Sequence, residues 1–282
     1  MKNFIVRTIT GVLFVAVIVT CFLNPRAMAF LFALVTGMTI WEFTGLVNEK
    51  NGITVNRMIC TVAGVYLFLA MAAFCSDITP SSVFVPYLLS ILYLMVAELY
   101  LKQEDPIADW AYTMMSQMYI ALPFSMLNVL AFRSQGYDIV YTYVIPLSIF
   151  VFLWLNDTGA YICGSLLGKH KLFPRISPGK SWEGSIGGGI IVIGIAVLIW
   201  YLTDKYGVNE LALNAFEWAG LGLTVVVFGT WGDLVESLFK RTLGIKDSGS
   251  ILPGHGGMLD RFDSSLLAIP AAVVYLYTLT LF

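Results

Sequence analysis

The sequence predicts an all-α, polytopic integral membrane protein, and three observations carry that prediction. Hydrophobic residues make up 58% of the 282 positions and charged residues 12%, where an ordinary soluble domain carries about 25% charged; the mean hydropathy is +0.81. Apolar runs close to the roughly 20 residues that cross a hydrocarbon core recur along the chain. Basic residues segregate to alternate connections between those runs, the asymmetry that orients membrane helices. A water-soluble fold of this size could not hide so much apolar surface, whereas the lipid-facing exterior of a helical bundle accepts it.

About nine transmembrane helices follow, near 4–23, 27–47, 58–75, 82–101, 110–132, 139–164, 185–203, 216–236 and 264–282. The first opens behind Lys2 and Arg7 and is followed by Ala27-Met28-Ala29, which resembles a signal-peptide cleavage site. Its apolar stretch is long for a signal sequence and more spans follow, so a retained helix is expected. The second and fourth contain the acids Glu42 and Glu98. The fifth holds Ser116, Gln117, Pro123, Ser125 and Asn128, too polar for lipid, and is expected to pack inside the bundle. The sixth contains Asp157, and the eighth contains Asp233 and Glu236. Charges within spans are costly in hydrocarbon and are functional candidates by default. Cys21, Cys60, Cys75 and Cys163 sit singly in apolar runs and read as reduced, buried thiols.

With the amino terminus cytoplasmic, all of the 16 basic residues except Arg26, Arg133 and Lys205 fall on the cytoplasmic side, as the positive-inside rule requires. The carboxyl terminus then lies outside. The two substantial polar segments, 169–184 and 236–263, share the cytoplasmic face. Residues 1–282 are therefore expected to form a single membrane domain in an inner, cytoplasmic-type membrane, with its active site facing the cytoplasm. The net charge of -2 argues against general nucleic-acid binding, which needs a clear basic excess.

At the end of the eighth span, where the second polar segment begins, Asp233, Glu236, Ser237, Lys240 and Arg241 recur at helical spacing and share one face. The plain alternative is an ion pair between Glu236 and Lys240 on an emerging helix end. Beyond them Gly244, Gly249, Pro253, Gly254, Gly256 and Gly257 surround Lys246, Asp247 and His255, ahead of Asp260-Arg261-Phe262-Asp263. Glycines there let backbone amides approach an anion. Helix capping explains one of Asp260 and Asp263, but not four carboxylates and four cations on one short segment. Carboxylates of this kind hold Mg²⁺ together with substrate phosphates, and cations take the remaining charge. Phosphoryl-transfer chemistry at the membrane surface is the physical inference.

The first polar segment follows Asn156-Asp157 and contains Lys169-His170-Lys171, Arg175 and Ser177-Pro178-Gly179-Lys180-Ser181-Trp182-Glu183-Gly184. A P-loop reading of Gly179-Lys180-Ser181 fails, because Pro174 stands where that motif needs glycine. Ser177, Lys180 and Ser181 can instead bind nucleotide phosphates near a helix start, or the cations can simply anchor the cytoplasmic face. His170 and His255 lack metal-ligand spacing and read as hydrogen-bonding or surface residues.

These residues resemble the CDP-diacylglycerol synthases, also called phosphatidate cytidylyltransferases. The signature is matched from Ser237 through Lys240-Arg241, Lys246-Asp247, Gly249, Leu252-Pro253 and His255-Gly256-Gly257 to Asp260-Arg261-Phe262-Asp263. The Asn156-Asp157 stretch and Ser177-Pro178 to Trp182-Glu183-Gly184 are similar to the family as well. The resemblance implies that CTP and phosphatidic acid give CDP-diacylglycerol and pyrophosphate, with Mg²⁺ and room for a second cation. It implies catalytic roles for Asp233, Lys240, Arg241, Asp260 and Arg261. Substrate contacts would come from Asn156, Asp157, Ser177, Lys180, Ser181, Ser237, Lys246 and His255, and metal contacts from Asp233 and Asp260 foremost, then Asp263 and Glu236. A homodimer through small-residue helix faces is favoured over a monomer.

Two other classes compete. A CTP-dependent polyprenol or dolichol kinase would move the γ-phosphoryl group and release CDP. A transporter would use the intramembrane acids as an ion path, but the charges cluster at one face and no pair of broken helices recurs in two halves. A CDP-alcohol phosphotransferase is excluded because the chain contains no Asp-Gly dipeptide.

Overall fold

Residues that the sequence places ahead of its apolar runs cap the helices those runs form. The computed structural model describes residues 2–135, 138–208, 212–249 and 256–279. After α1 (Lys2–Phe22), the Asn24 side chain accepts from the Arg26 and Ala27 amides at 2.9 and 3.2 Å and opens α2 (Pro25–Val47). Pro25 takes the first helical position, where no amide hydrogen is needed. Asn56 caps α3 (Arg57–Cys75) through the Ile59 amide, and a single turn over Ser81–Phe84 leads into α4 (Val85–Leu101). Asp105, followed by Pro106, caps α5 (Pro106–Met115). One wide turn of π-type winding, Ser116–Ala121, joins α5 to α6 (Leu122–Ala131).

The chain divides into two compact units, each discontinuous in sequence: Met1–Tyr143 with Thr242–Phe262, and Val144–Arg241 with Asp263–Phe282. The first unit has an aromatic core. Phe32 lies 5.4 Å from Phe22, 6.2 Å from Phe124 and 6.0 Å from Phe262, and Phe124 meets Phe262 edge to face at 5.5 Å. Phe262 therefore serves as a packing anchor for this unit. The polar residues of the fifth expected span are buried with it: Ser116, Gln117, Ser125 and Asn128 are at most 1% exposed. Gln117 Nε2 donates to the Cys60 carbonyl at 3.0 Å and Asn128 Nδ2 to the Ser125 carbonyl at 3.1 Å, so their burial is partly compensated. In α4, by contrast, only Leu94 is buried, and its apolar surface suits lipid.

Two hairpins depart from the all-α expectation. β1 (Phe132–Gln135) pairs antiparallel with β2 (Asp138–Tyr141), with Phe132 opposite Tyr141, where a start to the sixth span near 139 was expected. Their rings lie 5.4 Å apart, a cross-strand aromatic pair that favours a ribbon over continued helix. In the second unit α7 (Val144–Leu167) leads through β3 (Lys171–Phe173) and β4 (Ser177–Ser181), also antiparallel, into α8 (Trp182–Lys205). The remaining helices are α9 (Ala215–Thr242) and α10 (Leu259–Leu279).

Glycines bring the helices of the second unit together. A Cβ on Gly159 would lie 2.9 Å from the Gly188 Cα, and one on Gly188 would lie 2.8 Å from the Asn156 carbonyl, so α7 and α8 touch backbone to backbone. A Cβ on Gly232 of α9 would lie 2.7 Å from the Asp263 carbonyl of α10. Among the described residues 8 helices are long and apolar enough to cross a membrane, and the described apolar part of α1, Ile9–Phe22, is shorter.

Candidate active site

In the second unit, the start of α8 determines where β4 lies. Ser181 caps α8, its Oγ accepting from the Gly184 amide at 3.2 Å, while the Trp182 amide donates to the His170 carbonyl at 2.9 Å. Glu183 reaches back across the hairpin: its carboxylate accepts from the Lys169 and His170 amides at 3.1 and 3.2 Å and meets His170 Nδ1 at 2.6 Å. A side chain at Gly184 would lie 2.7 Å from the Ala160 carbonyl, so only glycine lets the first turn of α8 run this close to α7. The Trp182-Glu183-Gly184 triplet is thus a hairpin clasp.

That arrangement builds a cavity of about 330 Å³ walled by Asn156, Asp157 and Tyr161 of α7, Lys180 and Ser181 of β4, Ser185 of α8, and Thr230 and Asp233 of α9. The size suits a small-molecule site. Lys180 Nζ lies 2.6 Å from Asp233 Oδ2, and the two side chains are 24% and 27% exposed, so the pair is accessible. The other oxygen of Asp233 accepts from Ser237 Oγ at 3.1 Å. Asn156 is buried and its Oδ1 has no hydrogen-bond partner among the described residues. One turn along α9 from Asp233, Glu236 is fully buried with Oε2 at 2.6 Å from Lys240 Nζ, the same helical pair that the spacing alone allowed.

Asp263 Oδ1 accepts from the Ser264 amide at 2.5 Å, and its carboxylate interacts electrostatically with those of Asp157 and Asp233 and with Lys240. Lys180, 2.6 Å from Asp233, and Lys240, 2.6 Å from Glu236, offset part of the negative charge of these acids. Among the described residues no group of three or more His, Cys, Asp or Glu is spaced to hold one ion. Mg²⁺ needs only one or two protein carboxylates, the rest of its shell being water and phosphate oxygen.

In the first unit the glycine-rich segment brings amides to anions, and the anions are side chains of the protein. Asp260 Oδ2 accepts from the Ser248 and Gly257 amides, both at 2.9 Å. Glu42 of α2, 8% exposed, accepts from Ser248 Oγ, from the Met258 amide at 2.8 Å and from the Leu259 amide at 3.1 Å. Gly256 has φ +79 and faces Asp260, while a side chain on Gly257 would collide with Glu42 and Ser248. Asp260 therefore has a capping role, whatever else it binds.

Of the residues expected from sequence, Asn156, Asp157, Lys180, Ser181 and Asp233 share the cavity, and Ser237 adjoins it through Asp233. Ser177 pairs with Phe173 at the start of β4 and lies outside the cavity wall. Lys246 and Arg261 are exposed in the first unit and Arg241 in the second. His255, with Leu252 and Pro253, lies outside the described residues. Tyr161, Ser185 and Thr230 had no distinguishing sequence signal, whereas Glu42 did carry one, as an acid within an apolar span.

Comparison with known proteins agrees with this chemistry. Residues 5–279 match the cytidylyltransferase family. A phosphatidate cytidylyltransferase of Staphylococcus haemolyticus is 34% identical over 269 residues, covering 94% of this chain and 96% of that protein. Proteins of the same name from Staphylococcus aureus (strain COL) and Haemophilus influenzae are each 33% identical, over 94% and 92% of this chain and 96% and 93% of theirs. Such likeness spans every helix and both polar segments, and the chain, an integral membrane enzyme, belongs to the cytidylyltransferase family.

Proposed function

We propose that the protein transfers the cytidylyl group of CTP to phosphatidic acid, giving CDP-diacylglycerol and pyrophosphate in phospholipid biosynthesis. The observation that carries this reading is the near full-length likeness to proteins named phosphatidate cytidylyltransferases. A phosphate oxygen of phosphatidic acid attacks the α-phosphorus of CTP. The new P–O bond forms as the bond to the bridging oxygen breaks, and pyrophosphate leaves. The nucleophile is already an anion, so no side chain has to remove a proton. Positioning and charge neutralisation supply the rate.

Lys180, Ser181 and Asn156 would hold CTP in the cavity they line, with Asp157, Ser177 and Ser237 as further contacts. Lys240, Arg241, Lys246 and Arg261 would neutralise phosphates, and His255 is assigned to substrate on the signature alone. Mg²⁺, with room for a second cation, would be held by Asp233, Asp260, Asp263 and Glu236. When bound it supplies charge neutralisation at the phosphates. The accessible Asp233 carboxylate in the cavity wall, beside Asn156, Asp157 and Lys180, supports that assignment most directly. The reading also includes nine spans, a cytoplasmic amino terminus and active site, an inner, cytoplasmic-type membrane, and a homodimer.

The test is purified protein in detergent with phosphatidic acid, Mg²⁺ and CTP labelled at either the α or the γ phosphorus. Label from the α position is expected in lipid, with γ label released as pyrophosphate. Transfer of γ label into an added lipid alcohol would instead establish a kinase, and removal of Mg²⁺ with a chelator is expected to stop turnover.

A further inference from the structure

Glu42 lies on α2, far in sequence from the signature, yet three groups of the signature segment donate to it: Ser248 Oγ and the Met258 and Leu259 amides. The buried carboxylate has no ion-pair partner among the described residues. A buried charge met only by neutral donors is expensive unless every donor is well placed. The surrounding sequence is built to place them. A Cβ on Gly249 would lie 2.9 Å from Glu42 Oε2, and one on Gly257 would overlap Oε1. Met258 and Leu259 supply amides at the start of α10, groups that a helix leaves without internal partners and that attract negative charge. Glu42 occupies that position, so these amides are not available to a substrate phosphate.

The same few residues hold Asp260. Its Oδ2 accepts from Ser248 and Gly257, the neighbours of the groups that Glu42 holds. We propose that Glu42 is a positioning residue for cytidylyl transfer: by fixing Ser248 and the first turn of α10 it sets the placement of Asp260 and Arg261. The assignment rests on the proposed reaction for its catalytic consequence, and on geometry alone for the contact itself.

Glu42→Gln tests it in the full-length protein in detergent. Glutamine keeps the size, but its amide nitrogen faces donors where an oxygen accepted. Expected in the folded protein is a fall in kcat of about tenfold or more, with KM for CTP within about threefold. Hydrogen exchange at the Met258 and Leu259 amides should accelerate. A folded Glu42→Gln protein with wild-type kcat overturns the proposal, as does a loss confined to the folded fraction or to KM. If Glu42→Gln does not fold, Ser248→Ala, which removes one donor and no charge, decides on the same readouts: lowered kcat with faster exchange supports the proposal, and unchanged kcat overturns it. Wild type in the same assay separates the two readings. If wild type transfers no α label, the assigned reaction fails; if it transfers and Glu42→Gln equals it, only the role of Glu42 fails.

Discussion

Lys180 and Asp233 face each other at 2.6 Å with about a quarter of each side chain exposed, so the pair contributes little to stability, about 1 kcal/mol or less. Its value is to hold a cation and a carboxylate in one cavity wall beside Asn156, Asp157 and Ser181. Lys180→Met is therefore expected to lower kcat/KM by about a hundredfold or more while leaving the unfolding temperature almost unchanged, measured by α-label transfer and a thermal scan. Asp233→Asn keeps the shape and removes the charge. It should abolish most of the Mg²⁺-dependent turnover, and a folded Asp233→Asn protein with full activity would overturn the metal assignment. The sequence revealed both residues as charges near spans, but not their pairing, because the hairpin that carries Lys180 to Asp233 depends on Ser181 and Glu183 contacts that no local pattern announces.

At the scale of elements, apolar runs located most of the helices because span length and composition are set by the bilayer. The fifth run was legible for the same reason: Gln117 and Asn128 are too polar for lipid and are buried. The hairpins were not legible. Residues 171–173 and 177–181 form strands of 3 and 5 residues, too short for a periodic signal, and their pairing is secured by side chains of the following helix. The glycine-rich segment misled in one respect. Its amides at Ser248, Gly257, Met258 and Leu259 do approach anions, but those anions are Asp260 and Glu42, and only the fold brings Glu42 there. The close contact of α7 with α8 gives an element-scale prediction. Gly188→Ala places a methyl 2.8 Å from the Asn156 carbonyl, and parting the helices should cost about 1–3 kcal/mol and displace Asn156 from the cavity. A lowered unfolding temperature together with weaker CTP binding, measured by titration, would bear this out; an unchanged value of both would show that α7 and α8 have slack.

For the whole molecule the open quantity is sidedness, and basic-residue placement makes a definite prediction. Only Arg26, Arg133 and Lys205 of the 16 basic residues fall outside the connections assigned to the cytoplasm, a bias strong enough to set orientation. Nine spans put the two termini on opposite faces; eight, the number of long apolar helices among the described residues, put them on the same face. The difference rests on α1, whose described apolar part begins at Ile9 and whose full length of 21 residues reaches about 30 Å at 1.5 Å per residue. An epitope at each end, probed with protease in sealed vesicles of known orientation, separates the cases. The expected result is cleavage of the amino-terminal epitope and protection of the carboxyl-terminal one in vesicles that expose their cytoplasmic face. Cleavage of both would mean that α1 does not cross. Because one span separates the 236–263 segment from the carboxyl terminus, cleavage of both would also put the 169–184 and 236–263 segments outside, against the basic-residue bias. An α1 that does not cross while those segments stay cytoplasmic would instead leave Arg26 and both termini outside and protect both epitopes.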